Sequence, residues 1–207
     1  MSGDNVRIID ISRDLMQCEV YPGDPLPELT ALETIDGDGC YNLTKISMCT
    51  HTGTHVDAPL HFIYQGASIE NCPLDAFIGQ CTVPEMRPGI ITGEDAETLL
   101  PQGCERLLIK GGGRAFFMDS AAEYLAQSNL KLIGTDSLSV GCEGNEIGPH
   151  RAFLREGICI LEGLDLTDVN PGEYFLFAPP VKIGGAEGAP ARAVLIADYI
   201  FWSGKNG

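Results

Sequence analysis

The segment His51-Thr52-Gly53-Thr54-His55-Val56-Asp57-Ala58-Pro59-Leu60-His61 holds three of the chain's four histidines within eleven residues. Scattered core histidines do not normally cluster in this way. His51 and His55 are four apart, a spacing that alone suits one face of a helix. At about 100° per residue, however, Asp57 and His61 would lie roughly 240° and 280° around from His51 and point away. Gly53, Thr52, Thr54 and Pro59 also disfavour a helix. In an extended chain His51, His55, Asp57 and His61 share parity and project to one side. Pro59 is unsuited to a regular central strand, so the reading is a strand that breaks into a loop.

That pattern suits a metal. Neutral imidazoles and a carboxylate are good ligands for Zn²⁺ or Mn²⁺. Gly53 would let the backbone pass close to the ion with no side chain in the way. A bound ion can lower the pKa of water to about 7 and polarise a carbonyl. His61 is the candidate general base beside that water, and general acid to the leaving group afterwards. The competing account is a set of hydrogen-bonded structural histidines on a strand.

Outward from this segment, apolar and β-branched runs read as strands at Val6–Ile11, Asn42–Cys49, Leu107–Lys110, Lys131–Gly134, Ile158–Leu161, Tyr174–Ala178 and Arg192–Ala197. Helices are expected at Gly93–Leu100, stopped by Pro101, at Ser120–Gln127, and at Pro149–Glu156, stopped by Gly157. Ser120-Ala121-Ala122-Glu123 fits a capping box. The last two helices lie between strands and imply β-α-β crossovers. The first third is rich in strands and turns, without a convincing helix. No repeat, low-complexity segment or linker divides the chain, so one domain over residues 1–207 is expected, of mixed α/β class.

A chain of 207 residues with 44% hydrophobic and 20% charged residues has the composition of a soluble globular protein with a substantial core. No apolar run is long enough to span a membrane, and MSGDNVRIIDISRDL does not resemble a secretion signal, so a cytoplasmic location is expected. A net charge of −16 repels phosphate backbones and argues against a nucleic-acid partner. The eight cysteines contain no C-x-x-C pair and read as buried free thiols.

The fourth histidine, His150, lies in Gly148-Pro149-His150-Arg151, twelve residues before Glu162 in Ile160-Leu161-Glu162-Gly163-Leu164. A carboxylate ending an apolar strand is costly to bury unless paired or bound to a metal. By themselves the two read as a helix bearing a histidine and an acidic strand end. Gly111-Gly112-Gly113-Arg114 matches no phosphate-binding pattern. It reads as a flexible loop, with Arg114 a candidate carboxylate partner. Phe116 and Phe117 read as core. Glu187, in a turn-rich loop, either approaches the site or is solvated.

The central segment resembles the H-x-G-T-H-x-D-x-P-x-H signature of the metal-dependent cyclase/amidohydrolase family, which includes arylformamidases and isatin hydrolases. The likeness extends to Ile9-Asp10-Ile11-Ser12, Tyr21-Pro22-Gly23-Asp24, Lys131-Leu132-Ile133-Gly134-Thr135-Asp136 with Ser139-Val140, Pro149-His150-Arg151, Ile160 to Leu164 and Pro179 to Leu195. It implies that His51, His55 and Asp57 bind one metal. Asp57 would bridge to a second ion held by His150 and Glu162, and His61 would transfer protons. It implies a swivelling β/β/α-type α/β fold with a β-barrel-like core, in homodimers or homotetramers. Formamidases of this family tend to carry Trp-Pro-Gly-Asp where this chain has Tyr21-Pro22-Gly23-Asp24. Tyr21 would then take the tryptophan's place against an aromatic substrate. The implied activity is hydrolysis of an amide or formamide, with N-formyl-L-kynurenine the named substrate. The alternatives are a cyclic amide such as isatin, or a non-hydrolytic cyclase or metal-binding protein.

Overall fold

A computed structural model of the chain describes residues 6–35 and 39–198. The first five residues of the N-terminal stretch considered above lie outside this range. The elements run β1 (Arg7–Asp10), β2 (Glu28–Glu33), β3 (Leu43–Ser47), β4 (His55–Asp57), α1 (Leu74–Phe77), β5 (Ile78–Val83), β6 (Gly89–Ile91) and α2 (Gly93–Leu99). They continue with β7 (Arg106–Ile109), β8 (Ala115–Phe117), α3 (Asp119–Ala126), β9 (Leu132–Thr135), α4 (Ile147–Arg155), β10 (Cys159–Glu162), β11 (Gly172–Phe177), β12 (Gly188–Pro190) and β13 (Val194–Ala197). Short 3₁₀ turns occupy Pro59–His61 and Ile69–Asn71.

Nine strands form one sheet in the order β1-β13-β11-β5-β7-β9-β10-β4-β12, curled as a half-barrel. Its middle is parallel: β5 pairs with β7, β7 with β9, and β9 with β10. The expected crossovers are present, with α3 between β7 and β9 and α4 between β9 and β10. Parallel strands need covered faces, and the side chains alternate accordingly. Leu108, Leu132 and Leu161 join one apolar cluster inside the curl with Phe77, Val83, Leu176 and Leu195. Leu107, Ile109, Ile133 and Ile160 join the other, beneath the helices, with Leu125 and Phe153. Phe117 packs edge-on to Phe153 in that core, with ring centroids 5.5 Å apart.

All seven expected strands are present, their ends displaced by up to two residues. The capping box at Ser120 is not. Helix α3 begins at Asp119 behind Met118 with no side-chain cap, whereas α2 carries a reciprocal box between Thr92 and Asp95. Helix α4 begins two residues before Pro149, because Pro149 at the third helical position loses no intrahelical bond. The triple-glycine loop is held by Asp136, whose carboxylate accepts from Gly111 N and Gly112 N. Of the eight cysteines read as buried, only Cys72, Cys81 and Cys159 are buried, and Cys40 is exposed. Among the described residues no helix is long and apolar enough to cross a membrane.

Candidate metal centre

Strand register builds the floor of the site. In β4, Val56 points into the inner core, so His55 and Asp57 face the opposite side. The antiparallel pairing with β10 sets His55 opposite Glu162 and Asp57 opposite Ile160. All four residues therefore lie on the helix-facing side. Helix α4 packs over β10 and brings His150 to the same place. Relative exposure is 3% for His55, 0% for Asp57, 2% for His150 and 3% for Glu162. Four ionisable side chains are thus removed from water together, which is costly without mutual compensation or a cation.

The approach of His51 and His61 differs from an extended chain. Only His55 to Asp57 is strand. His51 sits in the preceding turn, where Thr52 N donates to Cys49 O at 3.2 Å. His61 is returned by the 3₁₀ turn that Pro59 opens. Its ring stacks on His51 with centroids 4.1 Å apart. Shared parity therefore does not assemble the four side chains; a turn before β4 and a 3₁₀ turn after it do. Gly53 has a conformational role as well. Its φ of +66° is left-handed, and a Cβ there would lie 2.7 Å from Leu15 Cδ2, so the turn and its packing require the glycine. Thr54 locks the segment: its hydroxyl donates to Gly163 O at 2.6 Å and accepts from Arg13 N at 2.9 Å.

Backbone carbonyls orient two imidazoles. His55 Nδ1 donates to Gly53 O at 2.9 Å, and His150 Nδ1 donates to Glu146 O at 2.6 Å. Each ring thereby presents Nε2 to the carboxylates. His55 Nε2 lies 3.3 Å from Asp57 Oδ1 and 3.5 Å from Glu162 Oε2. His150 Nε2 lies 3.5 Å from Asp57 Oδ2 and 3.3 Å from Glu162 Oε1. His51 Nδ1 is 2.8 Å from Asp57 Oδ1, and its Nε2 is 3.4 Å from Glu187 Oε1. Glu187 also accepts from the Thr50 hydroxyl at 2.6 Å, so this loop carboxylate does approach the site.

Burial alone would lower the histidine pKa values, but the facing carboxylates outweigh it and raise His55 and His150 to about 10. Asp57 and Glu162 are buried too, and their imidazole partners hold both below the usual carboxylate range. His61 goes the other way: burial lowers its pKa, which favours the neutral ring.

The donor set fits a metal. His51, Asp57 and His61 offer ligand atoms within 4.8 Å of one another, as do His55, Asp57 and Glu162. His55 Nε2 and Asp57 Oδ2 are buried without a hydrogen-bond partner. Leaving such atoms unsatisfied costs about 1–3 kcal/mol each, more when charged, and a cation between them removes that cost. Above the floor is a cavity of about 360 Å³. Tyr21, Phe62, Leu138 and Ile147 contribute apolar wall, while Asp24, Ser139 and Glu146 contribute polar groups. Tyr21, which the resemblance had set against an aromatic substrate, lines this cavity. Arg114 does not line the cavity, and no cysteine does. Asp24 and Ser139 lie in segments that carry the resemblance but have no role assigned by it, and Glu146 lies outside them, because isolated polar residues in loops carry no periodic or spacing signal.

The family model for putative cyclases matches residues 9–141. The kynurenine formamidase of Salinibacter ruber is 37% identical over 209 residues, covering 91% of this chain and 96% of its own. A solved structure described as a potential metal-dependent hydrolase with cyclase activity superposes at a TM-score of 0.78 and 30% identity. That match covers 95% of this chain and 100% of the other. Isatin hydrolase A from Labrenzia aggregata shares the fold at a TM-score of 0.79 and 21% identity, with 94% of each chain covered.

Proposed function

Because this chain belongs to the putative cyclase family, we propose that it is a metal-dependent hydrolase that converts N-formyl-L-kynurenine and water to L-kynurenine and formate. The observation that carries the reading is the buried convergence of His55, Asp57, His150 and Glu162 beneath an open cavity, with two of their atoms making no hydrogen bond. His51, His55 and Asp57 would hold one ion, and Asp57, His150 and Glu162 a second. Imidazole and carboxylate donors suit Zn²⁺ or Mn²⁺. When bound, such a cation supplies Lewis-acid polarisation of a carbonyl and acidifies water.

The chain's own residues do the rest. His61 lines the cavity, and burial favours its neutral form, as a general base requires. It takes a proton from the water that adds to the formyl carbon and returns one to the aryl nitrogen as the C–N bond breaks. Tyr21 and Phe62 flank the space an aromatic ring would fill. Carbonyl-anchored His55 and His150 keep Nε2 facing Asp57 and Glu162 without reorganisation.

A second copy of the chain would pack on the β2–β3 hairpin. Every residue of the two strands is exposed, including Leu29 at 57% and Ile46 at 49%. A lone two-stranded hairpin is marginal in water, and apolar residues exposed in this way fit a homodimer interface.

The test is hydrolysis of N-formyl-L-kynurenine, and of isatin in parallel, by protein loaded with Zn²⁺ or Mn²⁺, with bound metal quantified. Kynurenine release with two equivalents of metal is the expected result. Absence of release from metal-replete protein would exclude this substrate, and turnover of isatin alone would favour the cyclic amide.

A further inference from the structure

Strand β9 ends at Thr135, and the segment that follows its carboxyl end passes beside the metal centre. In open α/β sheets ligands bind outside the carboxyl ends of the strands. Here Leu138 and Ser139 line the cavity together with Glu162, the last residue of β10. The segment is fastened along its length. Ser137 O accepts from Gly163 N at 2.9 Å, and the Ser137 hydroxyl donates to Ala115 O at 3.1 Å. Val140 O accepts from Phe117 N at 2.8 Å, and Val140 N donates to Glu162 Oε1 at 2.7 Å. Ser139 lies between these anchors and is 5% exposed. Its hydroxyl oxygen accepts from Gly141 N at 3.3 Å. Its proton reaches no acceptor among the described residues. A buried hydroxyl normally spends its proton on a protein acceptor. This one is held by its oxygen and keeps the proton for whatever enters the cavity.

We infer that, with this cavity as the proposed substrate site, the Ser139 hydroxyl is an oxyanion donor that hydrogen-bonds the oxygen of the carbonyl under attack. Val140 N ties the segment to Glu162, so Ser139 stands next to the floor of the site, where the reacting carbonyl must lie. Water adding to a planar carbonyl makes the carbon tetrahedral and moves negative charge onto the oxygen. A donor fixed in advance binds that charge more strongly as it grows and needs no reorganisation. The other side chains of the lining cannot supply this bond. Tyr21 already gives its hydroxyl proton to Glu146 Oε1, and Asp24, Glu146 and Glu162 only accept when ionised. The histidines are committed to the ions and to proton transfer. Ser139 gives a hydrogen bond and retains its proton throughout, so His61 remains the group that takes a proton and returns one.

Metal-loaded wild type, Ser139→Ala and Ser139→Thr would be compared in steady-state hydrolysis of N-formyl-L-kynurenine, with bound metal quantified in each. Loss of one oxyanion donor should lower kcat of Ser139→Ala about 10²-fold, with KM within about twofold of the wild type. Ser139→Thr keeps a hydroxyl and should recover most of that loss. Bound metal should stay the same in both variants, because the Val140 amide still reaches Glu162. The same preparations would be titrated calorimetrically with phenylboronic acid, whose tetrahedral anion resembles the attacked carbonyl, and with kynurenine, which lacks that group. Ser139→Ala should weaken phenylboronic acid binding about tenfold and leave kynurenine binding unchanged. Wild-type kcat in Ser139→Ala overturns the inference. So do a defect confined to KM, a loss of metal, no recovery in Ser139→Thr, and phenylboronic acid that fails to bind the wild type or binds both proteins equally. Absence of hydrolysis by the wild type would sink the formamidase reading, while the phenylboronic acid ratio still judges the donor.

Discussion

His61 differs from His55 and His150 in the direction in which its surroundings move its pKa, and that difference separates the proposed roles. Carboxylates face His55 and His150 and raise them to about 10, whereas burial lowers His61. Replacing His61 by alanine should lower kcat by about 10²- to 10⁴-fold while bound metal stays unchanged. Full activity in that variant would remove its proton-transfer role. The raised pair also sets a pH dependence. Their folded-state values exceed the ordinary 6.5, so their stabilising contribution is complete below about pH 6.5 and is lost as pH rises through about 10. Asp57 and Glu162 are lowered, so their contribution is lost only on acidification below the ordinary carboxylate range. Metal binding must displace the imidazole protons and therefore strengthens with pH. Denaturant midpoints of metal-free protein should be lower near about pH 9 than near about pH 6, with the gain on adding metal wider at the higher pH. A metal-free midpoint that rises over that interval would contradict the charge assignment.

At the scale of elements, the site depends on how the turn before β4 is fastened to the end of β10. The Thr54 hydroxyl joins Gly163 O to Arg13 N, and Thr54 is fully buried. Gly163 itself is left-handed at φ +66°, and a Cβ there would meet Gly53 O at 2.3 Å. The two backbones are therefore in direct apposition. Thr54→Val keeps the shape and leaves a buried carbonyl and amide unpaired, an expected loss of about 2 kcal/mol in unfolding free energy. Metal affinity should fall with it, because His55 and Glu162 sit on the two segments so joined. A variant matching the wild type in both measurements would show that the latch is dispensable. Seven strands and the two crossover helices were legible from their apolar runs. Strand β5 was not, since Gly79 and Gln80 interrupt the alternation of Ile78, Cys81 and Val83. Strand β12 is three residues of Gly188-Ala189-Pro190, a composition that reads as loop and is tolerated as strand at the sheet edge.

For the whole molecule, the β2–β3 hairpin stands apart from the nine-stranded sheet as a separate two-stranded sheet. A groove at its base is lined by Leu15, Met16, Leu29, Ile46 and Val181. If a second copy covers these residues, Leu29→Glu combined with Ile46→Glu should convert the dimer to a monomer in light scattering. A double variant that remains dimeric would place the interface elsewhere. The metal centre lies within one chain, so bound metal should survive that change.

Residue types and local spacing were enough to mark His51, His55, Asp57 and His61 as one chemical group, because metal-binding donors are rare and their clustering is visible along the chain. Resemblance added His150 and Glu162, which sit about a hundred residues further on and which local pattern alone left unremarkable. Only the tertiary structure decided how these six meet. The β4–β10 register sets His55 opposite Glu162, α4 lowers His150 onto them, and turns rather than strand parity deliver His51 and His61. It alone placed Asp24, Ser139 and Glu146 around the cavity. Pairing and packing are long-range choices, made by which faces can be buried together. A short polar loop residue carries no trace of the surface it will come to face.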